Sequence, residues 1–335
     1  MQLARDAGVV LASIAVVMVV LFLALGTWPP MVVIESGSMM HGRDSSIGVI
    51  DTGDLTLVKA IGDRTDVVTW AQGNPDLRFT WVRDGVAMPE QTITIGSGHQ
   101  TYGLYGDVII YRKNNQPTTP VIHRAMLWME GSSDPGCPGM ADLPDLKLTC
   151  VESIEFIDAT IIGSNFKVNL LQILQKGTPF GGFITKGDNN NRFSPHGTMP
   201  AALSDQESLT VPTPSGSEPV HQVAPGWVVG KAVGELPSFG LLRLLVTKQV
   251  SLETAPPSSV RFLALTLIVL VGVPLALDLY SGMRARRARK AELQAQQRAL
   301  TCHCRPTAAP RSHAPGAPCR RPARADVPSP PVSAA

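Results

Sequence analysis

VVIESGSMM, Val32–Met40, lies at a seam in the chain. A long apolar run precedes it, and short polar and β-branched segments come after it. Membrane-spanning sequence ends here and strand-forming sequence begins, so this stretch decides the fold class. It carries Ser36 and Ser38, one glycine apart, with Met39 and Met40 behind them. One reading is a turn built from small residues. The other is a nucleophilic serine, Ser38, held at a bilayer surface.

Upstream, Val9–Trp28 is almost wholly apolar, and about 20 such residues span a hydrocarbon core. The run ends in Trp28-Pro29-Pro30, an interfacial aromatic followed by helix stops. A cleaved signal peptide is the alternative, but the run is long for one and no small-x-small cleavage site comes after it. Downstream, Phe262–Tyr280 is a second apolar run. Arg284, Arg286, Arg287, Arg289 and Lys290 come next, a flank that predicts the cytoplasmic side. The N-terminal flank, Arg5 against Asp6, does not decide orientation. Two spans place both termini, residues 1–8 and 281–335, in the cytoplasm and residues 29–258 outside it. Asp278 falls at the interface and needs no functional role.

Between the spans the pattern is strand-like. Asp54–Lys59 alternates, and Asp107–Tyr111, Ile154–Ile162, Gly182–Thr185 and Trp227–Val233 are short β-branched runs bounded by Gly, Asp and Pro. The expected fold is a mainly β extracytoplasmic domain with two transmembrane helices. Three stretches read as insertions: 62–106, which is polar with scattered tryptophans, 130–149, and 191–219, rich in Pro, Ser and Thr and expected to be a mobile loop. From Thr301 the tail is Pro, Ala and Arg with little to bury, which predicts disorder. Leu236–Val246 is apolar and precedes the second span; a segment resting on the membrane and a core strand with its turn both fit it.

The 335 residues carry a net charge of +2, without the basic excess of a nucleic-acid binder. Cys137 and Cys150 lie in the exposed region, where a pair can oxidise; the chain-entropy account gives a loop this short up to about 3 kcal/mol. Cys302, Cys304 and Cys319 lie in the tail. Cys302-His303-Cys304 has half the ligands of a metal site and no second half at ligand spacing, so it reads as incidental.

A serine hydroxyl needs a base within reach, a group that orients the base, and donors for the oxyanion. Ser38, His123 in VIHRAM and Asp188 in FITKGDNNN supply candidates. Each alone has a plainer reading: a turn, a structural histidine, and Asp-Asn turn chemistry.

In combination and order these residues resemble a type I signal peptidase of the archaeal and endoplasmic-reticulum type, a branch that also has bacterial members. SGSMM (Ser36–Met40), DTGDLTLVK (Asp51–Lys59), GDVIIY with VIHR (Gly106–Arg124) and TKGDNN (Thr185–Asn190) match in order, and WVVGKAVGELPSFG (Trp227–Gly240) matches more weakly. The resemblance implies a signal-peptidase-like β fold, Ser38 as nucleophile, and His123 as base where the other branch uses lysine. It implies Asp188 as the first family aspartate and Ser36, with the Ser38 N–H, as the oxyanion hole. The family's second aspartate is missing from Asn191–Ser194. Asp205-Gln206 fits it if 191–204 carries an insertion, so Asp188 and Asp205 both stand as candidate orienters.

The implied substrates are signal peptides of secretory pre-proteins, with small residues at the first and third positions before the cut. The implied surroundings are a lipid bilayer and the protein-export machinery. No cofactor or metal is expected, because every role falls to a protein group. The methionines beside Ser38 rest on lipid or pack the core, and Met40 is expected at the lipid surface. Two alternatives remain: a specialised peptidase for few substrates, and a catalytically impaired relative serving as a binding or scaffold module.

Overall fold

The computed structural model describes residues 2–42, 44–94, 96–157, 165–176, 180–190, 203–214 and 216–303. Residues through Val271 form one compact unit and those from Gly272 a second.

An apolar helix, Gln2–Leu25, opens the chain. It starts earlier than the expected 9–28 span and stops before Trp28, where Pro29 and Pro30 lead into the Met31–Val33 strand. A second helical stretch, Pro257–Gln297, also has the length and apolar character to cross a membrane. Helix continues to His303, so the basic flank is helical throughout, and residues 301–303 are helical where the sequence reading placed the start of a disordered tail. Alanine and straight-chain residues fill Arg284–Leu300 without a Gly or Pro to break the helix. The tail beyond His303, with Cys304 and Cys319, lies outside the described residues.

The rest of the first unit is mainly β. An eight-stranded sheet runs in the order Met31–Val33, Leu55–Lys59, Val228–Leu236, Val108–Tyr111, Val121–Gly131, Ala141–Leu143 and Leu148–Val151, with Gly182–Lys186 also paired to Val121–Gly131. Val121–Gly131 is flanked by strands on both sides and buried from His123 through Met129, which is why it reads as a nearly unbroken apolar run around one His-Arg pair. The register sets Ile109 opposite His123 and Lys186 opposite Arg124. The site residues therefore start from a fixed lattice.

A five-stranded sheet pairs Phe166–Asn169, Ser153–Ile157 and Leu77–Arg83 and adds two short strands. Of the expected Ile154–Ile162 strand, residues 158–162 lie outside the described residues. The core of this sheet joins Trp70, Leu77, Phe79, Phe156 and Phe166 to Met126 and Ile184 of the larger sheet. Trp70 meets the Phe156 ring edge-on at 5.2 Å. The 62–106 stretch, polar as it reads, thus contributes to the core. Its Trp70 and Phe79 are core, and Arg78, between buried Leu77 and Phe79, faces solvent. The 130–149 stretch similarly folds back as a hairpin on the Val121–Gly131 strand, and Cys137 and Cys150 are disulfide-bonded.

Of the 191–219 stretch, residues 191–202 lie outside the described residues. Beyond them, a one-turn helix, Asp205–Ser208, is capped by Ser204, and Thr210–Thr213 pairs with Gly216–Pro219. Leu236–Val246 is the end of a strand, a turn, and a helix over Leu241–Val246; Leu241 and Leu244 are buried while Leu242 and Val246 face outward. Met40 is buried rather than laid on lipid, and its Sδ accepts from Thr52 Oγ1. Met39 packs with Ile34, Ile50 and Val58.

Candidate active site

The Ser38 segment leaves the edge strand Met31–Val33 and is docked on the turn after Gly182–Lys186. The Asn189 N–H donates to the Ser38 carbonyl at 2.7 Å, and Asn189 Nδ2 donates to the Gly37 carbonyl at 2.8 Å. The turn is closed from inside. Lys186, fully buried, donates its ammonium to the carbonyls of Gly187 and Asn190 at 2.8 and 2.7 Å. Gly187 permits the close approach: a Cβ there would meet His123 Nε2 and the Ser38 carbonyl, each at 2.8 Å. Serine segment and histidine ring thus face each other across one glycine.

His123 is 4% exposed. Its Nδ1 lies 2.6 Å from Asp205 Oδ2. Burial pushes the Asp205 carboxyl up, but the His123 charge and hydrogen bonds from His123, Thr185 and Tyr111 outweigh it and hold the group below its usual range. An ionised carboxylate only accepts, so Nδ1 carries the ring proton. In the neutral ring this leaves Nε2, on the Gly187 side, as the acceptor, the tautomer a general base requires.

Ser36, Ser38 and His123 line one cavity of about 440 Å³. Val32, Ile34, Ile110, Ile122 and Leu209 supply apolar wall, and Lys113 and Glu35 also border it. Ser38 Oγ is 3.3 Å from Ser36 Oγ. Among the described residues this is the hydroxyl's only hydrogen-bond partner, and no hydrogen bond joins it to His123.

Of the two candidate orienters, Asp188 makes no hydrogen bond to His123 among the described residues. Its two oxygens accept from Arg124 Nε at 2.9 Å and Arg124 Nη2 at 2.7 Å, and Oδ2 also pairs with His41 Nε2 at 3.1 Å. Burial raises this carboxyl, yet Arg124 and His41 together bring it down to about 2. Arg124, itself fully buried, extends Nη1 to backbone carbonyls of the 101–106 hairpin, Gly106 at 2.8 Å among them. Asp188 is a structural anchor that fixes the turn holding Ser38. Asp205 is the residue on the ring.

Sequence reasoning missed Tyr111, Thr185, Arg124, Lys186, Asn189 and His41. Their neighbours in the matched boxes pointed to them, but nothing local marks a buried Tyr or Thr in a strand as polar machinery. The described residues hold one cluster with metal-ligand character, Asp134 beside the oxidised Cys137 and Cys150, and none of the three lines the cavity. The chain matches no protein-family model, no curated protein and no solved structure.

Proposed function

We propose that this chain is a membrane-anchored serine endopeptidase of the type I signal peptidase class, in its Ser-His branch, cleaving signal peptides from exported pre-proteins at the extracytoplasmic face. The observation that carries the reading is the buried Asp205–His123 pair, whose free Nε2 faces the Ser38 segment beside an apolar cavity. Two helices of membrane-spanning character support the setting.

The chemistry follows from the positions. Ser38 Oγ attacks the scissile carbonyl carbon while His123 Nε2 takes the hydroxyl proton. The carbonyl oxygen becomes an oxyanion, and the Ser38 N–H and Ser36 hydroxyl are the donors at hand. Imidazolium returns the proton to the leaving amine, the C–N bond breaks, and an ester to Ser38 remains. Water attacks that ester with His123 again as base, releasing the acid and restoring Ser38. Met31–Val33 is an edge strand, so an extended substrate segment can pair beside it with side chains in the apolar wall.

The test is labelling by a serine-directed acylating inhibitor, alongside cleavage of pre-protein precursors in membranes. Wild type should label and cleave; Ser38→Ala should do neither. A wild-type protein that neither labels nor cleaves would leave the scaffold alternative standing. Ser38→Ala and His123→Ala should each abolish turnover and the double variant should cost little more, because nucleophile and base act as one unit.

A further inference from the structure

Asp205 Oδ2 receives three groups: His123 Nδ1 at 2.6 Å, Thr185 Oγ1 at 2.7 Å and Tyr111 Oη at 2.9 Å. Its other oxygen, Oδ1, is buried and has no partner among the described residues. Tyr111 and Thr185 are both fully buried, and neither borders the cavity. Thr185 is itself held: its N–H donates to Gln206 Oε1 at 3.1 Å, and Gln206 Nε2 donates to its Oγ1 at 3.2 Å. Gln206 adjoins Asp205 on the same helical turn, so the strand Gly182–Lys186 and that turn are locked to each other through the very hydroxyl that reaches the carboxylate. Two neutral O–H donors thus share the oxygen that serves the histidine.

We propose that Tyr111 and Thr185 are positioning residues that set the basicity of His123, by drawing charge from the Asp205 oxygen that holds its ring. The proposal rests on the peptidase reading for its purpose, but not for its geometry. A carboxylate oxygen that accepts two hydroxyl protons offers less negative charge to Nδ1. The imidazolium is then less stabilised than it would be beside a carboxylate without those two donors. Removing one donor concentrates charge on Oδ2 and must raise the His123 pKa. Burial and the Asp205 charge push the Tyr111 hydroxyl well above its usual range, so it remains a donor wherever the histidine titrates.

Other ionisable groups stand around the pair. The Lys186 ammonium is turned to the Gly187 and Asn190 carbonyls. Asp188, Arg124 and His41 form their own cluster, joined by the two bonds from Arg124 and the one from His41. Glu207, on the Asp205 turn, is bound by Ser204. His221 meets the network through its backbone carbonyl, which accepts from Gln206. Lys113 and Glu35 border the cavity.

The experiment is an NMR titration of histidine Cε1 in the full-length protein in detergent, with the His123 signal assigned from His123→Gln. Tyr111→Phe and Thr185→Val are nearly isosteric and remove one hydroxyl each. Each should raise the His123 pKa by about 0.5–1 unit, the worth of one hydrogen bond, and Thr185→Ser should restore it. The acid limb of kcat/KM should move to higher pH by the same amount. An unchanged or lowered His123 pKa in a folded Tyr111→Phe or Thr185→Val protein overturns the proposal. If Tyr111→Phe does not fold, the Thr185→Val and Thr185→Ser pair reads the same quantity. The titration needs no turnover: an inactive wild type whose His123 still shifts in this way refutes the peptidase reading and leaves the coupling intact.

Discussion

At the residue scale, the two carboxylates offered as orienters have different partners. Asp205 Oδ2 lies against the far nitrogen of His123, while Asp188 is paired with Arg124 and His41. Asp205→Ala should lower turnover by about 10⁴-fold with the melting temperature little changed beyond the loss of the buried pair. Asp188→Ala instead strands Arg124 as an uncompensated buried cation, a change that costs about 3–5 kcal/mol, so its main effect should appear in thermal melts. A fully active, well-folded Asp205→Ala protein would reverse the assignment. Acid stability follows from the Asp188–Arg124 pair. The native Asp188 carboxyl sits at about 2, below its ordinary value of 3.8. Its pairing therefore stabilises the fold above the ordinary value and is lost as pH falls towards 2. Denaturation between pH 4 and 2, monitored by tryptophan fluorescence, should be shallower in Asp188→Asn than in wild type.

At the scale of elements, the serine segment is held by a neighbouring set of turns. The Gly48 N–H donates to Glu235 at the end of the Val228–Leu236 strand. Asp54 accepts from the N–H groups of Asp51 and Ser238. The Asp44–Ser45 segment is hydrogen-bonded to Ser258 in the first turn of the Pro257–Leu267 helix. The chain just beyond Ser38 is thus pinned to the entry of the second apolar helix. Burial raises Glu235 to about 7 and Asp54 to about 6. For an acid with a raised native pKa the native state binds the extra proton, so stability is retained at low pH and lost as pH rises through the window. Melting temperature should therefore decline from about pH 4.5 to 7, and Glu235→Gln, which keeps the acceptor for Gly48, should flatten that decline. An identical slope in Glu235→Gln would remove Glu235 as its source.

At the scale of the whole molecule, the chain carries two apolar helices and a β-rich unit whose candidate site begins just beyond the first of them. Two such spans predict that the full chain stays in the membrane pellet after alkaline carbonate extraction, and release into the supernatant would contradict the anchored reading. Composition was enough for the spans, because hydropathy over some 20 residues needs no tertiary partner. Alternation and β-branched runs were enough for Leu55–Lys59, Val108–Tyr111 and Gly182–Lys186, because a strand writes its burial into the chain. The 62–106 stretch misled for the converse reason: Trp70 and Phe79 are core residues scattered among polar neighbours, and only the second sheet closing over them shows which face is inside.

Ser38 and His123 were legible as candidates from the residue types that nucleophile and base demand and from the order of their boxes, and the structure brings both to one cavity. The orienting acid was not. Asp188 stood in the well-marked turn, while Asp205 came after a stretch of irregular sequence, marked only by the Asp205-Gln206 pair that the resemblance favours. Tertiary structure decided between them because orientation of an imidazole is a contact of 2.6 Å between residues 82 positions apart, and no local pattern encodes which buried oxygen lands there. The same holds for the hydroxyls of Tyr111 and Thr185 and for the Arg124–Asp188 pair. The sequence by itself determined which segments have the character to cross a membrane, which form strands and which side chains can react. Packing of separate strands determined which of those side chains meet, since burial must pair the polar groups it removes from water.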